Sequence, residues 1–363
     1  MARQKGVDFA SLSDVEAVGA RKLSPKMRSY IEAAAATGWT DRANREAFDR
    51  WVVEPRMLAG VTEVDLRTQL LGEAVRAPVF LAPTAYQGLV RAEGEVATAR
   101  AAGRAGLLAV FSTLSSRSLE EIAHATPMGP RWFQLYLQPK WNATERLIRR
   151  VERAGFTGLV LTVDTPVLGV RDAQLQSGFA IDTSIPLGSG PGVVPPSRGP
   201  ALVGETYSTG RTPGETWDVV DRLRETVDLP VVVKGVLSAA DARRAVAHGA
   251  RAVIVSNHGG RQLDRAPPTL ARLPEVVAAV GRRAEVYLDG GVRRGSDVLV
   301  ALALGARAVG VGRPFVFALA ANGEAGVARY LEFLTSDIAS AMVLAGRRSL
   351  SEVDRTAISP WPA

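Results

Sequence analysis

The sequence predicts an α/β protein, a (β/α)8 TIM barrel with an N-terminal helical extension and a long lid loop after strand 4. Three observations predict it. From Pro78 onward, eight short apolar β-rich runs alternate with helical patterns. The runs lack polar alternation, as strands buried on both faces do. Nearly every run ends at a residue that can hydrogen-bond or carry charge, as the mouth of a barrel requires. A doubly wound open sheet is the alternative, but its Gly-rich phosphate turn should follow the first strand, where Ala82-Pro83-Thr84-Ala85 stands.

Taken in order, residues 1–60 read as a helical preface. Ser24–Glu32 and the Ala33–Ala36 run form one helix, stopped near Gly38, and Asp41–Trp51 a second. The barrel follows over 78–350, in a single domain spanning 1–363. Its strands are Val79–Ala82, Leu107–Phe111, Trp132–Tyr136, Leu159–Val163, Val231–Lys234, Val253–Ser256, Val286–Asp289 and Ala308–Val311. Ser118-x-x-Glu121 and Asn142-x-x-Glu145 have capping-box spacing at helix starts. Gly155, Gly249 and Gly305 each close a helix before a strand. Residues 188–214 hold 12 glycines and prolines in 27 positions, between strand four and a helix at Thr216–Val227. A loop that long on the carboxyl face of a barrel is expected to be a lid.

Composition bounds the function. The 363 residues are 47% hydrophobic and carry a net charge of +7, which favours anionic small molecules. The arginine pairs are scattered and no basic tail or aromatic-basic ladder occurs, so nucleic acid is not an expected partner. Cysteine is absent, which excludes thiolate catalysis, disulfides and Cys-ligated metals. The most apolar stretch, Val298–Val311, is too short for a bilayer and contains Arg307. Residues 1–16 have no apolar core. A cytoplasmic protein without membrane contact is expected.

Two groups stand at the strand ends. Asp289-Gly290-Gly291-Val292-Arg293 and Gly312-Arg313 supply backbone N–H groups and guanidiniums where this architecture binds phosphate. His258, Arg261, Asp164, Tyr136 and Arg171 form an acid/base and anion-gripping set. A carboxylate such as Asp164 beside His258 would stabilise its imidazolium, and Lys234 would stabilise developing negative charge. Each residue alone has a bland explanation, as a cap or an ion pair. His248 suits a helix end and His124 a solvated helix face. No His/Asp/Glu set has metal-ligand spacing. Tyr30, a helical aromatic, reads as core on its own.

These motifs resemble the FMN-dependent 2-hydroxy-acid oxidases and dehydrogenases over Leu23–Leu350. They are Ser256-Asn257-His258-Gly259-Gly260-Arg261-Gln262-Leu263-Asp264, Leu161-Thr162-Val163-Asp164-Thr165-Pro166, Phe133-Gln134-Leu135-Tyr136, Val233-Lys234-Gly235-Val236 and Leu288–Gly295. The resemblance implies FMN across the barrel mouth, its phosphate on Gly291, Arg293, Gly312 and Arg313. It implies a ring met by Pro83, Thr84, Ala85, Ser112 or Thr113, Gln134, Thr162, Lys234 and Ser256, with Asp289 and Gly290 alongside. It makes His258 the base, paired with Asp164. Arg261, Arg171 and Tyr30 hold the substrate carboxylate and Tyr136 the hydroxyl. Reduced FMN would then pass its electrons to O2, giving hydrogen peroxide, in a homotetramer. The chain departs from the family where Ala33-Ala34-Ala35-Ala36-Thr37 replaces a Gly-Gly-Ala-acidic stretch. Leu114 stands where glycolate oxidases carry Trp, and with Tyr86 this suggests a larger, aromatic or branched substrate, as in hydroxymandelate oxidases.

Three alternatives compete. A relative could use a quinone or another acceptor, or decarboxylate its product as a monooxygenase does. A Schiff-base barrel on Lys234 leaves the two arginines and the phosphate site unexplained. A non-catalytic FMN-binding barrel leaves the His258, Arg261, Asp164 and Tyr136 set unexplained.

Overall fold

The computed structural model of the chain describes residues 9–127, 129–179, 187–190 and 215–361. Eight parallel strands close into a barrel: β1 (Val79–Leu81), β2 (Leu108–Ser112), β3 (Arg131–Leu135), β4 (Gly158–Thr162), β5 (Val231–Val236), β6 (Ala252–Val255), β7 (Glu285–Asp289) and β8 (Ala308–Val311). Closure comes from β8 pairing back to β1, with Val309 opposite Val79 and Val311 opposite Leu81. The eight apolar runs are these eight strands, displaced by a residue or two at their ends. Their uniform apolarity has a physical reason in the two-sided burial. Phe80, Val110, Trp132, Val160, Ile254 and Tyr287 fill the barrel interior. Their neighbours Val79, Leu81, Phe111, Phe133 and Leu159 pack in the larger cluster with the helices.

The floor of the barrel is a hairpin, Thr68–Leu70 and Glu73–Val75, a stretch to which the sequence reading gives no element. Leu71 and Gly72 turn it with φ of 49° and 88°. Leu70 and Val75 join the interior cluster. Glu73 accepts the Trp132 indole N–H at 2.7 Å, so the largest side chain inside the barrel buries no unpaired donor.

The preface differs from expectation in two places. Helices form over Val15–Lys22, Pro25–Glu32 and Trp39–Glu46. The Ala33–Ala36 run is not helical: Ala33 has ψ 126° and Ala36 φ 40°. Helix propensity there yields to the barrel, since Ala35 N–H donates to Gly260 O and Ala36 N–H to Val170 O, each at 2.8 Å. Trp51 is not helical either. It opens a strand, Trp51–Val53, that pairs antiparallel with Ile358–Pro360 near the other end of the chain. Close docking of the preface explains Gly19, where a Cβ would stand 2.2 Å from the Phe317 carbonyl oxygen.

Gly155, Gly249 and Gly305 do take left-handed φ at helix ends. The Ser118–Glu121 capping box forms, whereas Asn142 lies inside the first turn of a helix that starts at Trp141. The helix expected at Thr216–Val227 spans Asp218–Thr226. Of the expected lid, Gly188 and Ser189 are tied to the end of β2, through Gly188 N–H to Ser115 O and Ser189 Oγ to Thr113 O at 2.7 Å. Residues 191–214 lie outside the described residues.

Leu70→Ala should cost about 3 kcal/mol of unfolding free energy, because the barrel floor cannot collapse into the cavity left behind. Urea unfolding followed by tryptophan fluorescence measures this; a loss below about 1 kcal/mol would mean that the hairpin does not complete the core.

Candidate active site

The turn after β6 is built from three consecutive left-handed residues, His258, Gly259 and Gly260, with φ of 58°, 62° and 71°. Such a conformation in a non-glycine costs on the order of 1 kcal/mol or more and persists only where its surroundings impose it. Here a side-chain pair imposes it. Asn44, from the preface helix Trp39–Glu46, and Asn257 exchange amide hydrogen bonds at 2.9 and 2.8 Å. Asn257 Oδ1 also accepts Gly260 N–H at 3.1 Å, closing the turn. Gly260 is required by contact as well as by φ, since a Cβ would stand 2.6 Å from Asp41 N.

The turn aims His258 at Asp164, just past β4, with Nδ1 3.0 Å from Oδ1. Burial alone would raise the Asp164 carboxyl, but His258 and Lys234 beside it outweigh burial and bring it down to about 2. Burial carries His258 below its ordinary 6.5, against the pull of Asp164 and with the push of Lys234. The resting pair is therefore a carboxylate and a neutral imidazole. Because the carboxylate can only accept, Nδ1 carries the proton and Nε2 keeps its lone pair.

Lys234, on β5, donates to Ser256 Oγ at 2.8 Å and stands 3.3 Å from Asp289 Oδ2, with both charges nearly fully buried. Burial pulls the amine down; Asp289 and Asp164 outweigh it, so the ammonium persists. Ser256 Oγ also accepts His258 N–H, linking the lysine to the turn.

Three guanidiniums stand on the same wall. Arg261 Nη1 donates to Ile31 O at 3.0 Å and Ala33 O at 2.6 Å, and Nη2 to Tyr30 O at 3.0 Å. Among the described residues this leaves Nε–H and one Nη2–H, the side of the fork that suits a carboxylate. Arg171 donates to Arg261 O and Gln262 Oε1, each at 3.2 Å. Burial, then Arg171 and Arg313, push Arg261 well below its ordinary range. An anion placed among these groups would relieve that repulsion.

All of this surrounds one cavity of about 420 Å³. Each strand end contributes to its wall: Pro83, Thr84 and Ala85; Ser112; Gln134 and Tyr136; Thr162; Lys234; His258 and Arg261; Asp289, Gly290, Gly291 and Arg293; Gly312 and Arg313. Tyr30 enters from the preface, stacked on Phe179 at 4.7 Å. Tyr86, Leu114 and Arg171 line it with Val90, Leu168 and Leu175. Three expected site residues are not on the wall. Asp164 and Ser256 stand behind His258 and Lys234. Thr113 is fully buried, donating to Gln134 O at 2.7 Å and accepting Tyr136 N–H at 2.9 Å, so it positions those two residues. Asp264, from the same signature, is turned away and accepts the N–H groups of Thr37 and Thr40. Outside the cavity, Asp218, Asp221 and His248 bring ligand atoms within 4.8 Å of one another, a cluster that sequence spacing does not reveal. It is partly exposed, His248 is already paired with Asp221, and no metal is assigned to it.

A model of the FMN-dependent dehydrogenase family matches residues 19–360. The chain belongs to this family. It is 43% identical to a glycolate oxidase of Spinacia oleracea over 97% of this chain and 96% of the relative. It is 42% identical to a 2-hydroxyacid oxidase 2 of Homo sapiens over 97% and 99%. Among solved structures, a mandelate oxidase variant with (S)-mandelic acid superposes with a TM-score of 0.89 at 40% identity, covering 98% of this chain and 100% of that one. The protein is thus an FMN-dependent oxidoreductase, and its cavity fits the cofactor. Gln134 Nε2 and Asp289 Oδ1 are buried polar atoms of wall residues with no partner among the described residues, as groups awaiting a flavin ring would be. The wall also supplies the glycines and arginines a phosphate needs.

Asn44 and Asn257 are site residues that the sequence reading did not single out, although Asn257 lies inside the signature. Asn44→Ala should cost about 2 kcal/mol of stability, because it removes both amide bonds to Asn257 and leaves the buried Thr269 N–H without its acceptor. It should also lower turnover by loosening the His258 turn. Unfolding and steady-state kinetics measure the two losses; an unchanged kcat would separate the turn from Asn44.

Proposed function

We propose that this enzyme oxidises a 2-hydroxy acid to the 2-oxo acid, with O2 reoxidising the flavin and yielding hydrogen peroxide. The observation that carries the reading is that the His258–Asp164 pair and the open fork of Arg261 meet at one cavity. Arg261 and Arg171 grip the substrate carboxylate. Tyr136 bonds the substrate hydroxyl and Tyr30 supports the carboxylate end. His258 Nε2 takes a proton from the substrate, and Asp164 stabilises the imidazolium so formed. FMN supplies the two-electron acceptor; Arg293, Gly291, Gly312 and Arg313 would hold its phosphate, and Gln134, Thr162, Ser112, Lys234 and the Pro83–Ala85 backbone its ring. Lys234, a buried cation on the cavity wall, would stabilise negative charge developing on a bound flavin. Ala85, a small residue of the cavity wall, would leave room for O2 beside a bound flavin.

The substrate is read as aromatic or branched. Leu114, Val90, Leu168 and Leu175 give the cavity apolar wall, and Leu114 is smaller than a tryptophan. The mandelate oxidase likeness supports the same reading. Exposed apolar side chains at Met57, Leu58 and Leu344, 75%, 102% and 75% accessible, support a homo-oligomer, and we expect a tetramer. Light scattering coupled to gel filtration tests this, and a monomeric mass would contradict it. Among the described residues no helix is long and apolar enough to cross a membrane.

The purified protein should be yellow and should bleach anaerobically with mandelate or 4-hydroxymandelate faster than with glycolate or lactate. In air it should release one peroxide per turnover. A protein that no 2-hydroxy acid bleaches contradicts the proposal, and peroxide well below one per turnover points to another acceptor.

The pH profile follows from the base. His258 acts when neutral, so kcat/KM should rise with pH through an apparent pKa below 6.5 and stay high above it. Asp164 pulls the His258 pKa upward, so Asp164→Asn should move this limb to lower pH and lower kcat/KM by about 10²-fold or more. A limb that stays in place would detach Asp164 from the base.

A further inference from the structure

The two arginines assigned above to the FMN phosphate are both held by carboxylates from the preface. Arg293 Nε is ion-paired with Glu16, on helix Val15–Lys22, and its Nη1 donates to Val292 O at 3.1 Å. Arg313 Nη1 donates to Asp41, on helix Trp39–Glu46, at 2.8 Å. Its Nε donates to Ile31 O at 3.1 Å and its Nη2 to Ala33 O at 3.3 Å. Among the described residues one N–H on each terminal nitrogen of Arg313 is left over. Both arginines are on the cavity wall and neither carboxylate is. The carboxylates are also the more exposed partners, at 39% against 25% for Glu16–Arg293 and 37% against 16% for Asp41–Arg313. Each guanidinium therefore stands between a carboxylate on its outer side and the cavity on its inner side.

We infer that Glu16 and Asp41 are positioning residues for FMN: they orient Arg293 and Arg313 so that the unused N–H groups face the cofactor phosphate. This rests on the phosphate assignment in the proposed function. An unpaired arginine carries many rotamers, and fixing it before the ligand arrives removes that cost from binding. The carboxylate charges also repel a phosphate. They act from the far side of an intervening cation and in contact with solvent, where the repulsion is screened. Orientation therefore outweighs repulsion. The preface thereby becomes part of the cofactor site, and in two neighbouring places: the Asp41 backbone packs against Gly260 of the catalytic turn while its side chain holds Arg313.

The test uses the full-length protein stripped of flavin and titrated with FMN and with riboflavin, which lacks the phosphate, following the change in flavin fluorescence. Wild type should prefer FMN. Glu16→Ala and Asp41→Ala should each reduce the FMN-over-riboflavin affinity ratio by roughly tenfold, as loss of an orienting partner does, with riboflavin affinity and melting temperature near wild type. Glu16→Gln and Asp41→Asn, which still accept a hydrogen bond, should recover most of the ratio. A ratio that stays at its wild-type value or rises in the Ala variants would overturn the inference. So would equal losses for FMN and riboflavin, the mark of a merely structural role. A wild type that binds both flavins equally would instead refute the phosphate assignment on which the inference stands.

Discussion

The structure depends on two partly buried arginines at the end of a short helix. Helix Pro25–Glu32 finishes with carbonyls that have no partner within the helix, and Arg261 and Arg313 take them: Tyr30, Ile31 and Ala33 all accept from these guanidiniums. The negative end of the helix dipole suits the two charges. One set of contacts thus satisfies the helix end, offsets the burial of two cations and docks the preface on the barrel mouth. The same contacts fix which N–H groups remain for a ligand. Lysine at either position would lose the fork and with it this division of donors.

Around that anchor the electrostatics alternate. His258, Lys234 and Asp289 line the cavity as neutral base, ammonium and carboxylate, with the Asp164 carboxylate behind His258; neighbouring charges hold Asp164 low and Lys234 high against their burial, whereas burial itself lowers His258. Arg171, Arg261 and Arg313 share the same wall. This cationic excess beside a base suits an anionic substrate that must lose a proton. The barrel contributes rigidity, since every strand end reaches this mouth from a packed core.

Much of this was legible in the sequence. All eight strands could be found because burial on both faces leaves unbroken apolar runs, and the wall residues because strand ends converge by topology. His258 and Arg261 came from one signature with distinct chemistry. What could not be read depends on contacts distant in sequence. The Ala33–Ala36 run has every local reason to be helical and is drawn out by Gly260, Val170 and Arg261. Trp51–Val53 is a strand only because Ile358–Pro360 lies beside it. Asn44, Asp41 and Glu16 sit on short polar helices and look like solvated faces until the fold places them behind the mouth. Asp264 shows the converse, an acid inside a catalytic signature that is spent on holding Thr37 and Thr40.

If His258 is the base of a flavin-dependent oxidation, its loss must slow flavin reduction itself. Anaerobic stopped-flow mixing of FMN-loaded His258→Gln with the best 2-hydroxy acid measures that step. Flavin reduction should slow by about 10³-fold or more while FMN content and the visible spectrum stay as in wild type. Reduction within tenfold of the wild-type rate would show that His258 is not the base.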